Sequence, residues 1–312
     1  MRNRFADTFY QLSKEDKNLC IIVADISPAG SIAKFRNEFP ERFINTGVAE
    51  QIMIGMAAGM AQRGLRPFVY TIASFALYRP FEFIRDDISY QDLPVTIVGI
   101  GGGVSYSTLG ATHHAMEDIA VASTIPNMII LAPVDPLEVE AATKWCAVQN
   151  LGPVYLRLGK AGEPILTDSI SESWEFGKIR SLMQGEKVCI LAYGPITKLA
   201  IEARDEISKK FNTAPSVYVS STIQPLDLDG LDLLLNKYKE VIVLEEHIYY
   251  GGLAMRVNEH VKKTCRTNII TSVALEHRFS HIYGTHADVL SSLGLSLEIL
   301  IQAIEKALKR PN

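Results

Sequence analysis

The sequence has few cysteines, no long hydrophobic run and no export signal. Its four cysteines, Cys20, Cys146, Cys189 and Cys265, lie far apart and form no C-x-x-C pair, which argues against both a zinc site and a disulfide framework. The most apolar run, residues 52–61, is too short to span a bilayer. The first residues show neither the apolar core nor the cleavage site of a signal peptide. These absences predict a cytoplasmic protein with reduced thiols.

An excess of charge of one sign is also lacking. The formal net charge is −4 at pH 7, and 21% of the 312 residues are charged. Neither nucleic acid nor an anionic membrane is therefore expected as the main partner. Hydrophobic residues make up 47% of the chain, which is enough for a sizeable core, and the length predicts about two domains.

Short apolar runs alternate with helical patterns along most of the chain. In the first half, runs rich in valine and isoleucine predict buried strands at residues 19–26, 66–72, 94–100, 128–133 and 153–158. Helical patterns lie before and between them, at residues 4–17, 47–63, 79–90 and 136–149. This alternation predicts an α/β fold in which helices cover a mostly parallel sheet.

The alternation pauses between residues 160 and 186, where the sequence carries glycine, proline, serine and charges without a strong period. It resumes from residue 187 onward. We therefore predict two doubly wound α/β domains with mostly parallel sheets. The first domain covers residues 1–165, a linker covers 166–186, and the second domain covers 187–312.

A helix rich in small residues follows the short apolar stretch at the start of the segment FINTGVAEQIMIGMAAGMAQRG, residues 43–64. Glu50 falls in the first turn of this helix, where the helix dipole favours a carboxylate. The glycines and alanines permit close packing against another backbone, and no further charge occurs before Arg63. We therefore expect Glu50 to be buried, with a functional role as the alternative to a simple dipole interaction.

Aromatic residues recur in the segment TIASFALYRPFEFIRDD, residues 71–87. Phe75, Tyr78 and Phe81 are spaced three apart and would share one face of a helix. A core stripe and a ligand-facing cluster both have this spacing. Arg79 and Arg85 lie in the same segment and would reach either a substrate or structural carboxylates.

Two adjacent histidines, His113 and His114, follow a glycine-rich loop in the segment GIGGGVSYSTLGATHHAMEDIA, residues 99–120. Neighbouring residues do not easily face one metal ion, and no cysteine or carboxylate at ligand spacing supports a metal site. No metal ligands are therefore predicted in this chain.

These three segments, in this order and spacing, resemble the transketolase family, and the resemblance extends over about residues 4–310. The stretch N-T-G-V-A-E-Q is similar to the family motif N-x-G-[IV]-x-E-x, whose glutamate hydrogen-bonds N1′ of the thiamine aminopyrimidine. The resemblance implies that Glu50 is a catalytic and cofactor-binding residue that shares a proton with N1′. Burial would favour its protonated form, and the helix N-terminus would favour its ionised form.

The resemblance also assigns the other two segments. The aromatic segment is similar to the family cluster that packs on the aminopyrimidine ring, which implies that Phe75, Tyr78 and Phe81 bind the cofactor. G-A-T-H-H is similar to the family's G-P-T-H loop. It implies that His113 faces the reacting carbons, binds substrate hydroxyls and shuttles protons, with His114 beside it.

The sequence departs from ordinary transketolases at two positions that bind sugar phosphates in that family. Leu109 stands where an aspartate is typical, and Gly101 stands where many members have a further histidine. Arg157 is similar to a family arginine that binds the substrate phosphate, although an interface role is equally compatible with its position. Arg79, Arg157, His113 and His114 are the predicted substrate contacts, with sugars or sugar phosphates as substrates.

The second half of the chain resembles the family's third domain, which usually serves assembly, at residues 191–203, 217–227 and 243–257. Four of its histidines are expected to be structural or surface residues; they are His247, His277, His281 and His286.

One family feature is missing. The G-D-G motif of the domain that binds the cofactor diphosphate through Mg²⁺ does not occur. The resemblance therefore implies a chain that holds only the aminopyrimidine end of thiamine diphosphate. A separate N-terminal subunit would supply the Mg²⁺ ligands, in an α2β2 complex with a β–β dimer.

The predicted function is thus the C-terminal subunit of a split transketolase that transfers a two-carbon ketol unit from a ketose to an aldose. The β subunit of a 2-oxoacid dehydrogenase E1 is an alternative, but A-S-F-x-x-Y-R and G-A-T-H-H favour the transketolase branch. Deoxyxylulose-phosphate synthases are usually single chains. A non-catalytic regulatory relative is a third alternative, opposed by the presence of Glu50, the aromatic residues and His113.

Overall fold

Two mostly parallel β-sheets, each covered by helices, run through the computed structural model, which describes residues 1–26, 30–166 and 174–310. The central strands are continuous runs of apolar residues because both faces of each sheet are buried. This architecture confirms the predicted fold class of two α/β domains.

Seven strands form the first sheet, in the order β10-β5-β6-β4-β3-β1-β2. The pairings among β1 to β6 are parallel, and β10 pairs with β5 in the antiparallel direction. The strands are β1 (Leu19–Val23), β2 (Phe43–Asn45), β3 (Arg66–Ile72), β4 (Thr96–Ile100), β5 (Ile129–Leu131), β6 (Val154–Leu158) and β10 (Thr222–Gln224).

The second sheet has five strands in the order β12-β11-β8-β9-β7, and only the β7–β9 pairing is antiparallel. The strands are β7 (Arg180–Met183), β8 (Val188–Ala192), β9 (Ser216–Val219), β11 (Glu240–Ile248) and β12 (Ile269–Leu275).

Helices pack on both faces of the two sheets, and their apolar residues complete three buried clusters. They are α1 (Arg2–Glu15), α2 (Ile32–Glu38), α3 (Glu50–Gln62), α4 (Ala73–Leu77), α5 (Phe81–Phe83), α6 (Asp118–Ser123), α7 (Pro136–Val148), α8 (Thr197–Phe211), α9 (Leu228–Lys237), α10 (Leu253–Lys263), α11 (His286–Ser292) and α12 (Leu297–Leu308). Short 3-10 turns cover Pro40–Arg42 and Ala111–His113, and a π-helical turn covers Ile84–Ser89.

The single helix predicted at residues 79–90 is wrong in detail. Helix α4 ends at Leu77, a turn follows, and α5 then runs directly into the π-helical turn. Pro80 lies in this turn, where the lack of an N–H opposes a continuous helix. The interruption places Arg79 between two helices, and this position matters for the site described below.

Two short strands lie outside their expected places. Strand β7 falls within the predicted linker 166–186 and pairs with β9, while linker residues 167–173 lie outside the described residues. Strand β10 follows β9 in sequence but joins the first sheet, where Thr222 pairs with Leu131. The two halves of the chain are therefore joined by strand pairing as well as by side-chain packing.

No single helix in the described ranges is long and apolar enough to cross a membrane. Only the pair α11 and α12, bent by 50°, passes that test by length and composition.

Candidate active site

Glu50 is the first residue of α3, directly after the loop that leaves β2. The residue is 2% exposed, which confirms its predicted burial. A carboxylate so far from water needs a partner, since an unpaired buried charge is strongly unfavourable.

Arg79 is that partner. Its Nη1 lies 3.1 Å from Oε1 and 3.0 Å from Oε2 of Glu50. The Arg79 side chain is 44% exposed, whereas that of Glu50 is 3% exposed. Of the two roles that the sequence left open for Arg79, the structure shows the contact with a carboxylate.

Phe75 and His113 complete a continuous group with this ion pair. The Arg79 guanidinium carbon lies 4.5 Å from the centroid of the Phe75 ring. The rings of Phe75 and His113 meet edge to face, with centroids 5.2 Å apart. We call Glu50, Phe75, Arg79 and His113 the Glu50 cluster. It contains a carboxylate, an aromatic ring and an imidazole, and the Arg79 guanidinium joins the carboxylate to the ring.

Tyr78 and Phe81 do not join the Glu50 cluster. Phe81 packs against the apolar cluster that includes residues of α3. Tyr78 donates a hydrogen bond from its hydroxyl to Oε2 of Glu117 over 3.1 Å. Burial, with the nearby carboxylates of Asp118 and Glu117, raises the pKa of Tyr78, so its hydroxyl stays protonated. The aromatic residues spaced three apart are thus divided between Phe75, in the Glu50 cluster, and two residues outside it.

A cavity of about 220 Å³ lies on the Tyr78 side of α4. Residues at positions i and i+4 share a helical face, so Ser74 points with Tyr78 and away from Phe75. The cavity is lined by Ser74, Tyr78, Ala111, Thr112, His114, Met116, Glu117 and Phe279. Phe279 comes from the second domain, so both domains contribute to this cavity.

His114 is a buried polar residue in the lining of this cavity. It is 5% exposed, and neither ring nitrogen has a hydrogen-bond partner among the described residues. The hydroxyl of Ser74 is also buried without a partner there. Burial lowers the pKa of His114, and the Glu246 carboxylate only partly opposes this shift. A neutral imidazole in this position is able to donate one hydrogen bond and accept another.

Comparison with known proteins decides the family. Residues 1–162 match the transketolase pyrimidine-binding domain and residues 177–298 match the transketolase C-terminal domain. The chain belongs to the transketolase family. A Methanocaldococcus jannaschii protein named as a transketolase C-terminal section is 33% identical over 99% of this chain and 96% of its own length.

Two further relatives have the same extent. An apulose-4-phosphate transketolase subunit from Phocaeicola vulgatus is 31% identical over 95% of this chain and 94% of its own length. A solved structure described as a split gene transketolase, inactive beta4 tetramer, superposes with a TM-score of 0.89 at 32% identity. That alignment covers 98% of this chain and 97% of the solved one. This transketolase-family chain therefore has the domain content of a separate subunit.

Arg157 is buried in an ion pair. Its side chain is 3% exposed, and its Nε lies 2.7 Å from Oδ2 of Asp118. Its Nη2 donates to the backbone oxygen of Glu246 over 2.9 Å. Burial opposes its charge, but Asp118 and neighbouring groups outweigh this and raise the pKa of Arg157. The geometry favours the interface role that the sequence also allowed.

The missing transketolase histidine has a steric explanation. A Cβ atom at Gly101 would lie 2.3 Å from Cε2 of Tyr106, so the ring of Tyr106 fills the space that a side chain at position 101 needs. Leu109 is 47% exposed on the loop before His113. Position 101 therefore has no room for a side chain, and position 109 carries an apolar one.

Sequence reasoning missed Ser74, Glu117 and Phe279. The adjacent carboxylates Glu117 and Asp118, shortly after the histidine pair, were a visible signal for buried polar partners. No local signal marked Phe279, because the second domain brings it to the cavity through the fold.

The transketolase family uses thiamine diphosphate, and the Glu50 cluster fits its aminopyrimidine end. The buried carboxylate of Glu50 and the partly exposed ring of Phe75, both in contact with Arg79, are the hydrogen-bonding and stacking groups that such a ring needs. Within residues 1–26, 30–166 and 174–310, no group of three or more histidine, cysteine or acidic side chains is arranged to hold a metal ion.

Proposed function

We propose that this chain is the C-terminal subunit of a split, thiamine-diphosphate-dependent transketolase. It would transfer a two-carbon ketol unit from a ketose donor to an aldose acceptor, together with a separate N-terminal subunit. The observation that carries the proposal is the Glu50 cluster, in which a buried carboxylate, an aromatic ring and a histidine meet.

Three residues of the cluster have a definite task in this proposal. Glu50 holds or releases a proton at N1′ of the aminopyrimidine, and Phe75 stacks on the ring. His113, on the other edge of Phe75, orients substrate hydroxyls and moves protons at them. The bound cofactor supplies the carbon nucleophile that accepts the ketol unit.

An apolar surface beside Glu50 supports the proposed partner. Val48, Ile52 and Met56 are 68%, 58% and 37% exposed, and they recur every four residues on one side of the loop and helix α3. Gly59 continues this side, and a Cβ atom there would meet nothing within 4 Å. Exposed apolar surface of this kind is typical of protein contacts. We propose that the N-terminal subunit covers it and brings the Mg²⁺ ligands.

The proposed assembly is α2β2 with a β–β dimer, located in the cytoplasm. One relative is described as an inactive beta4 tetramer. We infer by analogy that this chain associates with itself and is inactive without its partner.

The proposed substrates are sugars or sugar phosphates. One relative belongs to an apulose-4-phosphate transketolase, which supports a sugar phosphate. Gly101, Leu109 and the buried Arg157 remove three of the expected polar contacts, so we propose that this chain selects substrates differently from pentose-phosphate transketolases.

Calorimetric titration of thiamine diphosphate with Mg²⁺ tests the proposal. We expect no binding to the chain alone, binding to its mixture with the proposed N-terminal subunit, and ketol transfer from a ketose in that mixture. Tight Mg²⁺-dependent binding to the chain alone would overturn the shared site.

The same mixture discriminates between the alternatives. Turnover of a 2-oxoacid with no ketol transfer would indicate the β chain of an E1 enzyme. Binding to the partner with no turnover of either donor class would indicate a regulatory relative.

A further inference from the structure

We propose that Arg79 fills the aminopyrimidine half-site when the cofactor is absent, so that its guanidinium competes with the cofactor for Glu50 and Phe75. The inference rests on the proposed function, since it takes Glu50 and Phe75 as the cofactor contacts. It assigns Arg79 a role in setting the affinity of this subunit for the cofactor.

The contacts of Arg79 match those that an aminopyrimidine needs. Its Nη1 lies 3.1 and 3.0 Å from the two carboxylate oxygens of Glu50. Its guanidinium carbon lies 4.5 Å from the centroid of the Phe75 ring. A guanidinium is planar, donates N–H groups at its edge and packs its face on aromatic rings. A protonated aminopyrimidine has the same three properties, so the two groups compete for one carboxylate and one ring.

The position of Arg79 makes it a cover over the carboxylate. The Arg79 side chain is 44% exposed and that of Glu50 is 3% exposed, so the guanidinium lies between Glu50 and solvent. Arg79 belongs to the turn between α4 and α5. Its long side chain is therefore able to leave Glu50 by rotation about its own bonds while both helices stay in place.

Charge compensation explains why the free subunit needs such an occupant. A buried carboxylate without a partner is strongly unfavourable, and Glu50 has Arg79 as its ion-pair partner. When the cofactor enters, N1′ takes over as the partner, and Arg79 turns outward to solvent. Part of the binding free energy of the cofactor is then spent on separating the Arg79–Glu50 pair.

Titration of thiamine diphosphate into matched variants of the reconstituted complex tests this competition. The Arg79→Met variant keeps the apolar stem and removes the guanidinium. Arg85→Met is the control, because Arg85 belongs to the same segment but pairs with Asp86 and has a 65% exposed side chain. The ligand is thiamine diphosphate with Mg²⁺, titrated into the reconstituted complex of each variant and followed by calorimetry.

We expect Arg79→Met to bind about fivefold to tenfold more tightly than wild type, which corresponds to the loss of one partly exposed charge pair. Arg85→Met should bind like wild type. Adding Glu50→Gln to Arg79→Met should remove the gain, because the gain depends on the freed carboxylate. If Arg79→Met misfolds, Arg79→Gln replaces it, since an amide still hydrogen-bonds Glu50 without a charge.

Unchanged or weaker binding by Arg79→Met in a complex that binds the cofactor would overturn this inference and show that Arg79 positions Glu50 for the cofactor. If the wild-type complex and the variants all fail to bind thiamine diphosphate, the proposed function fails and the inference fails with it. The two failures are therefore distinguishable by the wild-type complex alone.

Discussion

Arg157 and Asp118 form an ion pair with almost no access to water. Nε of Arg157 lies 2.7 Å from Oδ2 of Asp118, and the two side chains are 3% and 0% exposed. The hydroxyl of Tyr155 also donates to this carboxylate oxygen over 2.8 Å. Because Arg157 reaches the backbone of Glu246 as well, the pair links the first domain to strand β11 of the second.

Replacing Asp118 with alanine should lower the free energy of unfolding by about 3–5 kcal/mol, because it leaves the Arg157 guanidinium buried without its counter-ion. Urea denaturation followed by circular dichroism measures this change. The matched control is Glu259→Gln, which breaks an exposed pair with Lys263 and should leave the transition unchanged. Equal transitions for both variants would mean that the buried pair contributes nothing.

Glu245 should make the protein less stable as the pH rises. Burial raises the pKa of its carboxyl group from 4.5 to about 7, so the folded state binds more protons than the unfolded state between these values. The free energy of unfolding from this group therefore falls by about 3 kcal/mol as the pH rises from 4.5 to 7. Comparing Glu245→Gln with wild type across this range isolates the slope.

His247, two residues further along β11, should have the opposite effect. Burial lowers the pKa of His247 from 6.5 to about 4, so the folded state binds fewer protons in this range and stability rises with pH. The two slopes oppose each other between pH 4.5 and 6.5. In His247→Asn, the free energy of unfolding should still fall with rising pH because of Glu245. In Glu245→Gln, it should still rise with pH because of His247. Parallel profiles for both variants would contradict these assignments.

The central strands were predictable because strands buried on both faces appear as continuous apolar runs. The burial of Glu50 was predictable from its uncharged, small-residue helix. Strand β10 was not, since three residues at a sheet edge carry no local pattern. Arg157 is buried because it pairs with Asp118, and Tyr78 is separated from Phe75 because its hydroxyl bonds Glu117. A local sequence pattern does not show which side chain a distant carboxylate will contact.

Two glycines with similar backbone conformations should respond very differently to alanine. Gly103 has φ +67, and a Cβ atom there would lie 2.3 Å from Oε1 of Glu246. That oxygen accepts hydrogen bonds from the backbone of Val104 and from His286. Gly64 has φ +87 and open space around its Cβ position.

Gly64→Ala should therefore lower the free energy of unfolding only by the backbone strain, about 1–2 kcal/mol. Gly103→Ala should cost about 1–3 kcal/mol more, because it displaces a buried carboxylate from its donors. Thermal and urea denaturation of both variants measure the difference. Equal losses of stability in the two variants would show that the Glu246 side chain moves aside without a loss of free energy.

His114 should contribute to substrate binding in the proposed reaction. Its ring nitrogens, which have no hydrogen-bond partner among the described residues, line the cavity next to the His113 loop. His114→Ala should raise KM for the sugar about fivefold to tenfold, as expected for one lost hydrogen bond, with a smaller change in kcat. Thr124→Ala is the control, because Thr124 is exposed directly after α6 and its hydroxyl donates to the backbone oxygen of Val121. An unchanged KM would assign His114 to the structure and not to substrate.

Glu50→Gln should preserve the fold and abolish cofactor activation, because an amide does not relay the proton. A loss of at least about 10²-fold in ketol transfer is expected from removal of a general acid–base group. Steady-state kinetics of the reconstituted complex measure it, with circular dichroism as the check on folding. Turnover at the wild-type rate would make the assignment of Glu50 wrong.

Strand β10 limits how the chain can be divided. A fragment ending at residue 165 would lack it and leave β5 with a row of unpaired N–H and C=O groups, which recruit strands of other molecules. The pyrimidine-binding region therefore depends on a strand from the second half of the sequence to complete its sheet. A recombined gene that joined the segment for residues 1–165 to a different second domain would encode an aggregating protein unless it also encoded β10.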